Sequence, residues 1–183
     1  MDGKLKSGVY ELVNDRFHNH VGHNGQNFVL ACSTPTDDCL SDTESDTCAL
    51  TRPCRWKVQA LHNGNYFIYT RPEGDSVHLD QKLYAMCNPL PSKKDEVMVG
   101  RSPHQWTVKE SRIKRRYVIH HTGDPYLCWA LLDGELGTHV TLNATSSCHM
   151  NLWDFCEVLA PPDPAKELLP NVGTLNGDHL FTA

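Results

Sequence analysis

The chain has 183 residues, with 17 Lys and Arg against 22 Asp and Glu, a net charge of −5 and eight cysteines. Such a charge gives no broad attraction for a phosphate backbone, which sets nucleic acid aside as a partner. No run approaches the roughly 18 consecutive apolar residues that a spanning helix needs, and the length suits one domain plus a tail.

In chain order, "MDGKLKSGVY" lacks the apolar core of a secretory leader, so a cytoplasmic protein is expected. Val9–Asn14 alternates as a strand that opens near Tyr10. In "HNHVGH", His18, His20 and His23 stand among the turn formers Asn19, Gly22, Asn24 and Gly25, so Phe17–Gln26 reads as a polar loop and not as a metal site. Asn27–Cys32, Cys48–Leu50 and Arg55–Ala60 read as strands, with the acidic "STPTDDCLSDTESDT" as a long loop among them. The next unit offers strands at Tyr66–Thr70, Ser76–Asp80, Glu96–Val99 and Gln105–Lys109. A third offers Tyr117–His121, Tyr126–Leu132, Thr138–Leu142 and Leu152–Val158. Residues 160–183 carry four prolines in their first half and leave this pattern as a tail. The apolar Leu168, Leu169, Leu175, Leu180 and Phe181 predict that part of it lies against the domain or a neighbouring subunit.

The spacing makes these units a repeat. Trp56 to Trp106 is 50 residues and Trp106 to Trp153 is 47, while Tyr10 to Tyr66 is 56 and Tyr66 to Tyr117 is 51. No helical periodicity runs through Met1–Glu157, so the class is all-β. Three four-stranded units, about 7–61, 62–112 and 113–159, cannot bury their apolar faces separately. They are predicted to close on one another, with Trp56, Trp106 and Trp153 as core plugs at equivalent places.

Three such repeats, each ending in a Trp strand, resemble the β-trefoil fold: a closed barrel with a hairpin cap. More narrowly, "GTHVTLNATSSCHMNLWDF" resembles the end of the ricin-B-type lectin repeat, in which a G-T-x-V-x-L strand precedes a Q-x-W strand. The Gln of that motif is Cys54, His104 and Asn151 here, so Asn151 alone keeps an amide. The compact fungal trefoil lectins carry degenerate copies of this motif, and fungal trefoil protease inhibitors, the mycocypins among them, share the frame.

The resemblance implies a glycan-binding protein whose function lies on its loops; the sequence has no G-x-S-x-G, no H-E-x-x-H and no phosphate-cradling glycine loop, so no catalytic role and no cofactor are expected. Sugar recognition needs a carboxylate or amide for vicinal hydroxyls beside an aromatic face. "SVHLDQKLYAM" supplies Asp80 and Tyr84, its Leu-Asp step matching the place of the family's sugar-binding aspartate. The third unit offers Asp133 near Trp129, although "LLDGEL" also reads as an Asp-Gly turn. A second site or self-association into a homodimer would supply avidity. The alternative is a protease inhibitor acting through Gly22 and Gly25 of Phe17–Gln26, or through Arg71 of the following loop; Pro72 after Arg71 disfavours a scissile bond.

The even cysteine count suits a disulfide framework, but the missing leader argues for free thiols. Cys32, Cys39, Cys48 and Cys54, which crowd one segment, do not form the CxxC pairs of a zinc site. Thiol titration of protein denatured after non-reducing, alkylation-controlled purification should therefore find most of the eight cysteines free. A count of two or fewer would reverse the compartment expectation.

Overall fold

A computed structural model of the chain describes residues 4–23, 27–33, 54–71, 81–144 and 148–159. The described residues form twelve strands and one helical turn, a 3₁₀ turn at His149–Asn151. The first repeat holds β1 (Gly8–Asn14), β2 (His20–His23), β3 (Val29–Cys32) and β4 (Trp56–Ala60). The second holds β5 (Tyr66–Thr70), β6 (Leu83–Met86), β7 (Met98–Gly100) and β8 (Gln105–Glu110). The third holds β9 (Tyr117–His121), β10 (Leu127–Ala130), β11 (Thr141–Ala144) and β12 (Trp153–Glu157).

The first and fourth strands of each repeat pair antiparallel, and each fourth strand also pairs with the first strand of the next repeat. Thus β1, β4, β5, β8, β9 and β12 return to β1 as a six-stranded ring with no open edge. The aromatic spacing follows from this register. Tyr10 lies opposite Trp56, Tyr66 opposite Trp106 and Tyr117 opposite Trp153. All three tryptophans have 0% exposure, and each gives its indole N–H to a backbone carbonyl of its own repeat's second strand. The acceptors are Val21 at 2.9 Å, Ala85 at 2.8 Å and Trp129 at 3.3 Å.

The remaining strands form three hairpins, β2–β3, β6–β7 and β10–β11. They meet at three fully buried valines whose backbones bond in a ring: Val29 N–H to Val97 O at 3.0 Å, Val97 N–H to Val140 O at 2.8 Å, and Val140 N–H to Val29 O at 2.8 Å. A second triple surrounds it, from Ala31 to Thr138, Val99 to Asn27 and Leu142 to Asp95. Over this ring the residues preceding the valines stack, with Phe28 and His139 parallel at 4.8 Å and His139 Nδ1 2.6 Å from Glu96 Oε1.

The structure replaces part of one expected loop with a strand and places one hairpin strand elsewhere. His20–His23 is β2 and not part of a loop: Asn19 precedes a short strand that takes in Gly22 and buries it with Val21. In the second repeat the hairpin strand is Leu83–Met86, while Ser76–Asp80, like Cys48–Leu50 and the 160–183 tail, lies outside the described residues.

Two of the three seams between repeats are spanned by short turns, 61–65 and 111–116. At the third, β12 meets β1 through Tyr10↔Glu157 to Asn14↔Trp153. There Arg116 bonds Asp15 through Nε and Asp154 through Nη1, the latter at 2.8 Å, and His149 Nδ1 lies 2.6 Å from Asp15. Burial pushes the Asp15 carboxyl up, but the hydrogen bonds from His149 and Arg116, with their charges, outweigh it and hold the group below its ordinary 3.8.

Trp106→Ala should lower unfolding free energy by about 3–5 kcal/mol, read as a fall in urea midpoint at constant m-value. Because the folded Asp15 carboxyl is the stronger acid, its contribution is present above 3.8 and is lost as pH falls through its lower folded value. Asp15→Asn should therefore be less stable at neutral pH and show a flatter decline of urea midpoint on acidification.

Candidate functional site

The second repeat carries an aromatic shelf on its outer face. In β5 and β6, alternation sends Ile68 and Ala85 into the core with 0% exposure and leaves Phe67 and Tyr84 half-buried. Tyr84 lies opposite Tyr69 and contacts Phe67 edge-to-face at 5.5 Å and Tyr69 at 5.4 Å. The Lys82 ammonium sits 4.8 Å from the Tyr69 ring centre. Side-chain amides border Phe67: Gln105 lies opposite it, and the Gln105 Oε1 accepts from Asn63 Nδ2 at 2.9 Å and from Asn65 Nδ2 at 3.2 Å. Gln81, oriented with its oxygen toward Arg101, accepts from that guanidinium at 2.8 Å. This shelf offers an apolar ring face, fixed amides and a cation, the groups that recognise a polyhydroxylated ring.

Of the residues predicted to bind sugar, Tyr84 lies in this shelf and Asp80 is outside the described residues. The third-repeat pair is corrected at Trp129. Trp129 has 0% exposure, because Leu127–Leu131 is buried on both faces and the indole fills the core edge-on to Trp106 at 5.3 Å and to Trp153 at 6.2 Å. It offers no face to a ligand. Asp133 is a turn residue: its Oδ1 accepts from Glu135 N at 3.0 Å and from the Thr138 hydroxyl. The exposed aromatic of this repeat is Tyr126, 74% exposed, whose N–H donates to Asp124 Oδ1 at 2.9 Å. Its signal in the sequence was the "GDPY" turn just before the apolar run, masked by Trp129.

The inhibitory-loop reading loses Gly22, which is buried in β2 opposite Leu30. Gly25 is outside the described residues, and Arg71 is exposed just beyond β5. A separate depression of about 250 Å³ between β1, β9 and β12 is lined by Tyr10, Tyr117 and Phe155, with Lys4, Arg115 and Glu157 around it.

A second polar cluster escaped the sequence reading. Cys87 follows β6, His104 precedes β8 and His121 ends β9, and one donor atom from each lies within 4.8 Å of the others. Cys87 Sγ is 3.6 Å from His104 Nε2. The His104 ring packs on Trp106 at 4.7 Å and faces His121 at 5.7 Å. Burial, with Asp95 nearby, pushes the Cys87 thiol up to about 11. Burial also lowers both imidazoles, His104 further through His121, while Asp124 partly opposes the effect at His121. Cys87 and His104 are thus both driven to their neutral forms, so the imidazole does not arm the sulfur as a thiolate nucleophile.

Neither a protein-family model nor a curated protein sequence matches the chain. Solved structures do. A ricin B-like lectin from Macrolepiota procera, solved in complex with lactose, matches with a TM-score of 0.62 at 10% identity, over 84% of this chain and 98% of that one. The Rhizoctonia solani agglutinin matches with 0.61 at 11% identity over 84% and 97%. ThreeFoil, a designed three-fold symmetric protein, matches with 0.60 at 15% identity over 82% and 99%. The fold is a β-trefoil. Within it the shelf belongs to one lobe, and the other two lobes differ at the same places: β2 is "HVGH" and β10 is "LCWA" where β6 is "LYAM".

Proposed function

We propose that this trefoil is a carbohydrate-binding, lectin-like module with no catalytic role, whose main site is the second-repeat shelf. The observation that carries the reading is the half-exposed Phe67–Tyr84 pair on a rigid barrel, bordered by Gln105, Asn63 and Asn65. Such a surface takes the C–H face of a pyranose while neighbouring polar groups bond its hydroxyls. Asp80, three residues before β6, is assigned as the acceptor for two vicinal hydroxyls. Tyr126 with Asp124 is the aromatic and acid of a lesser site in the third lobe, taking the place of Trp129 and Asp133. Two unequal sites would give avidity toward a multivalent glycoprotein. The lectins among the structural neighbours lend support through shape alone, including the one solved with lactose.

A glycan array probed with labelled full-length protein tests this directly. Binding should appear and should fall roughly 5- to 150-fold in Asp80→Ala, the range set by leaving sugar hydroxyls without their acceptor. Tyr84→Ala should weaken it by about tenfold through loss of the stacking face, with the β-type circular dichroism retained in both. A blank array, or parental binding by both variants, would end the assignment.

A further inference from the structure

The three lobes allow a position-by-position comparison of the Cys87 cluster. Cys87 stands two residues beyond Ala85, the acceptor for the Trp106 indole; the corresponding residues are His23, two beyond Val21, and Leu131, two beyond Trp129. His104 stands two residues before its tryptophan, where the other lobes have Cys54 and Asn151. His121 lies opposite Trp106; Asn14 lies opposite Trp153, and Thr70 falls opposite Trp56 in the β4–β5 register.

In two lobes the third position has a structural duty. Thr70 Oγ1 bonds Arg55 O at 3.2 Å, and Asn14 Nδ2 bonds Met150 O at 3.0 Å and Leu152 O at 3.5 Å, each tying the chain just before the tryptophan. His121 instead turns its Nδ1 to the N–H groups of Gly123 and Asp124, at 3.2 and 3.1 Å. The frame therefore does not demand Cys, His and His at these places. The second lobe alone holds three soft or borderline donors together.

We propose that Cys87, His104 and His121 form a zinc site, with water at the fourth vertex. The 3.6 Å between Cys87 Sγ and His104 Nε2 equals the edge of a tetrahedron built on Zn–S and Zn–N bonds of about 2.3 and 2.05 Å. The third donor is already within 4.8 Å, so closure takes a shift of about 1 Å. One thiolate and two neutral imidazoles suit zinc over hard cations. Binding forms the Zn–S bond as the S–H bond breaks, and the proton leaves to solvent, so the site gains one net positive charge. Asp95 acts on Cys87 and Asp124 on His121 through space, and both fields favour that cation. Packing of His104 on Trp106 fixes one imidazole beforehand. His121 cannot ligate in its present tautomer, in which Nδ1 accepts from the turn and Nε2 carries the proton: using Nδ1 displaces the Gly123 and Asp124 amides, and using Nε2 moves the proton to Nδ1, which can then no longer accept from them. Zinc capture is therefore tied to the 122–124 turn, next to Tyr126.

The test uses reduced, metal-stripped, full-length protein titrated with zinc against a chromogenic chelator. His104→Asn copies the third lobe's residue and His121→Thr the first lobe's, so both keep the frame, and Cys87→Ser removes the sulfur. One zinc should bind per chain, with affinity reduced by about 100-fold or more in each variant. Cobalt substitution should give a sulfur-to-metal charge-transfer band that Cys87→Ser abolishes, and the amide resonances of Gly123 and Asp124 should shift on saturation. Absence of zinc binding overturns the site, as does unchanged binding in His104→Asn and His121→Thr, or a zinc-loaded protein whose 123 and 124 amides have not moved.

Discussion

Val29, Val97 and Val140 each give a backbone N–H to the carbonyl of another, so the three hairpins close in a cycle with no first member. A buried N–H without a partner costs about 1–3 kcal/mol, and in this cycle no lobe can satisfy its own. Two lobes leave one donor and one acceptor open; three leave none. The same logic governs the barrel, where each fourth strand needs the first strand of the next lobe. Repetition here is a condition of folding, and the sequence is free to drift wherever this backbone circuit and the three indole bonds are not involved.

That freedom explains what could be read from the chain. Tyr10, Tyr66 and Tyr117 and the three tryptophans announced the fold because they sit at pairing points fixed by the register. Hairpin strands such as His20–His23 and Leu83–Met86 are four residues long and carry little local periodicity of their own. Site residues were harder still. Trp129 looked like a ligand face in the sequence; only the burial of Leu127–Leu131 on both sides shows it to be a fourth core indole. Conversely Cys87, His104 and His121 are separated by strand-length intervals and no local motif joins them; only the barrel brings them together.

The second lobe is where the pseudo-symmetry breaks most informatively. It has the aromatic shelf on its outer face and the Cys–His–His cluster beside its tryptophan, while at the place of His121 the other lobes hold Asn14 and Thr70, which brace the backbone. A trefoil can change one lobe in this way because the changed side chains leave that lobe's Val97 backbone bonds and its Trp106 indole bond in place. The shelf and the cluster also differ in kind. One is a set of half-buried rings and amides at the surface, and the other a set of neutral donors gathered beside a buried indole.

The β12–β1 seam has a mechanical consequence. Its strands run antiparallel, with Tyr10 facing Glu157, so the start of β1 and the end of β12 lie at the same end of one ladder. A force drawing those two points apart acts along the hydrogen bonds and loads them one at a time, in the geometry of a zipper and not of shear. Resistance would come late, when the pull reaches Asn14, Asp15 and the Arg116 clasp. Along that axis a tightly packed protein is mechanically compliant, yielding first at its outermost rungs while the valine circuit at the cap remains intact.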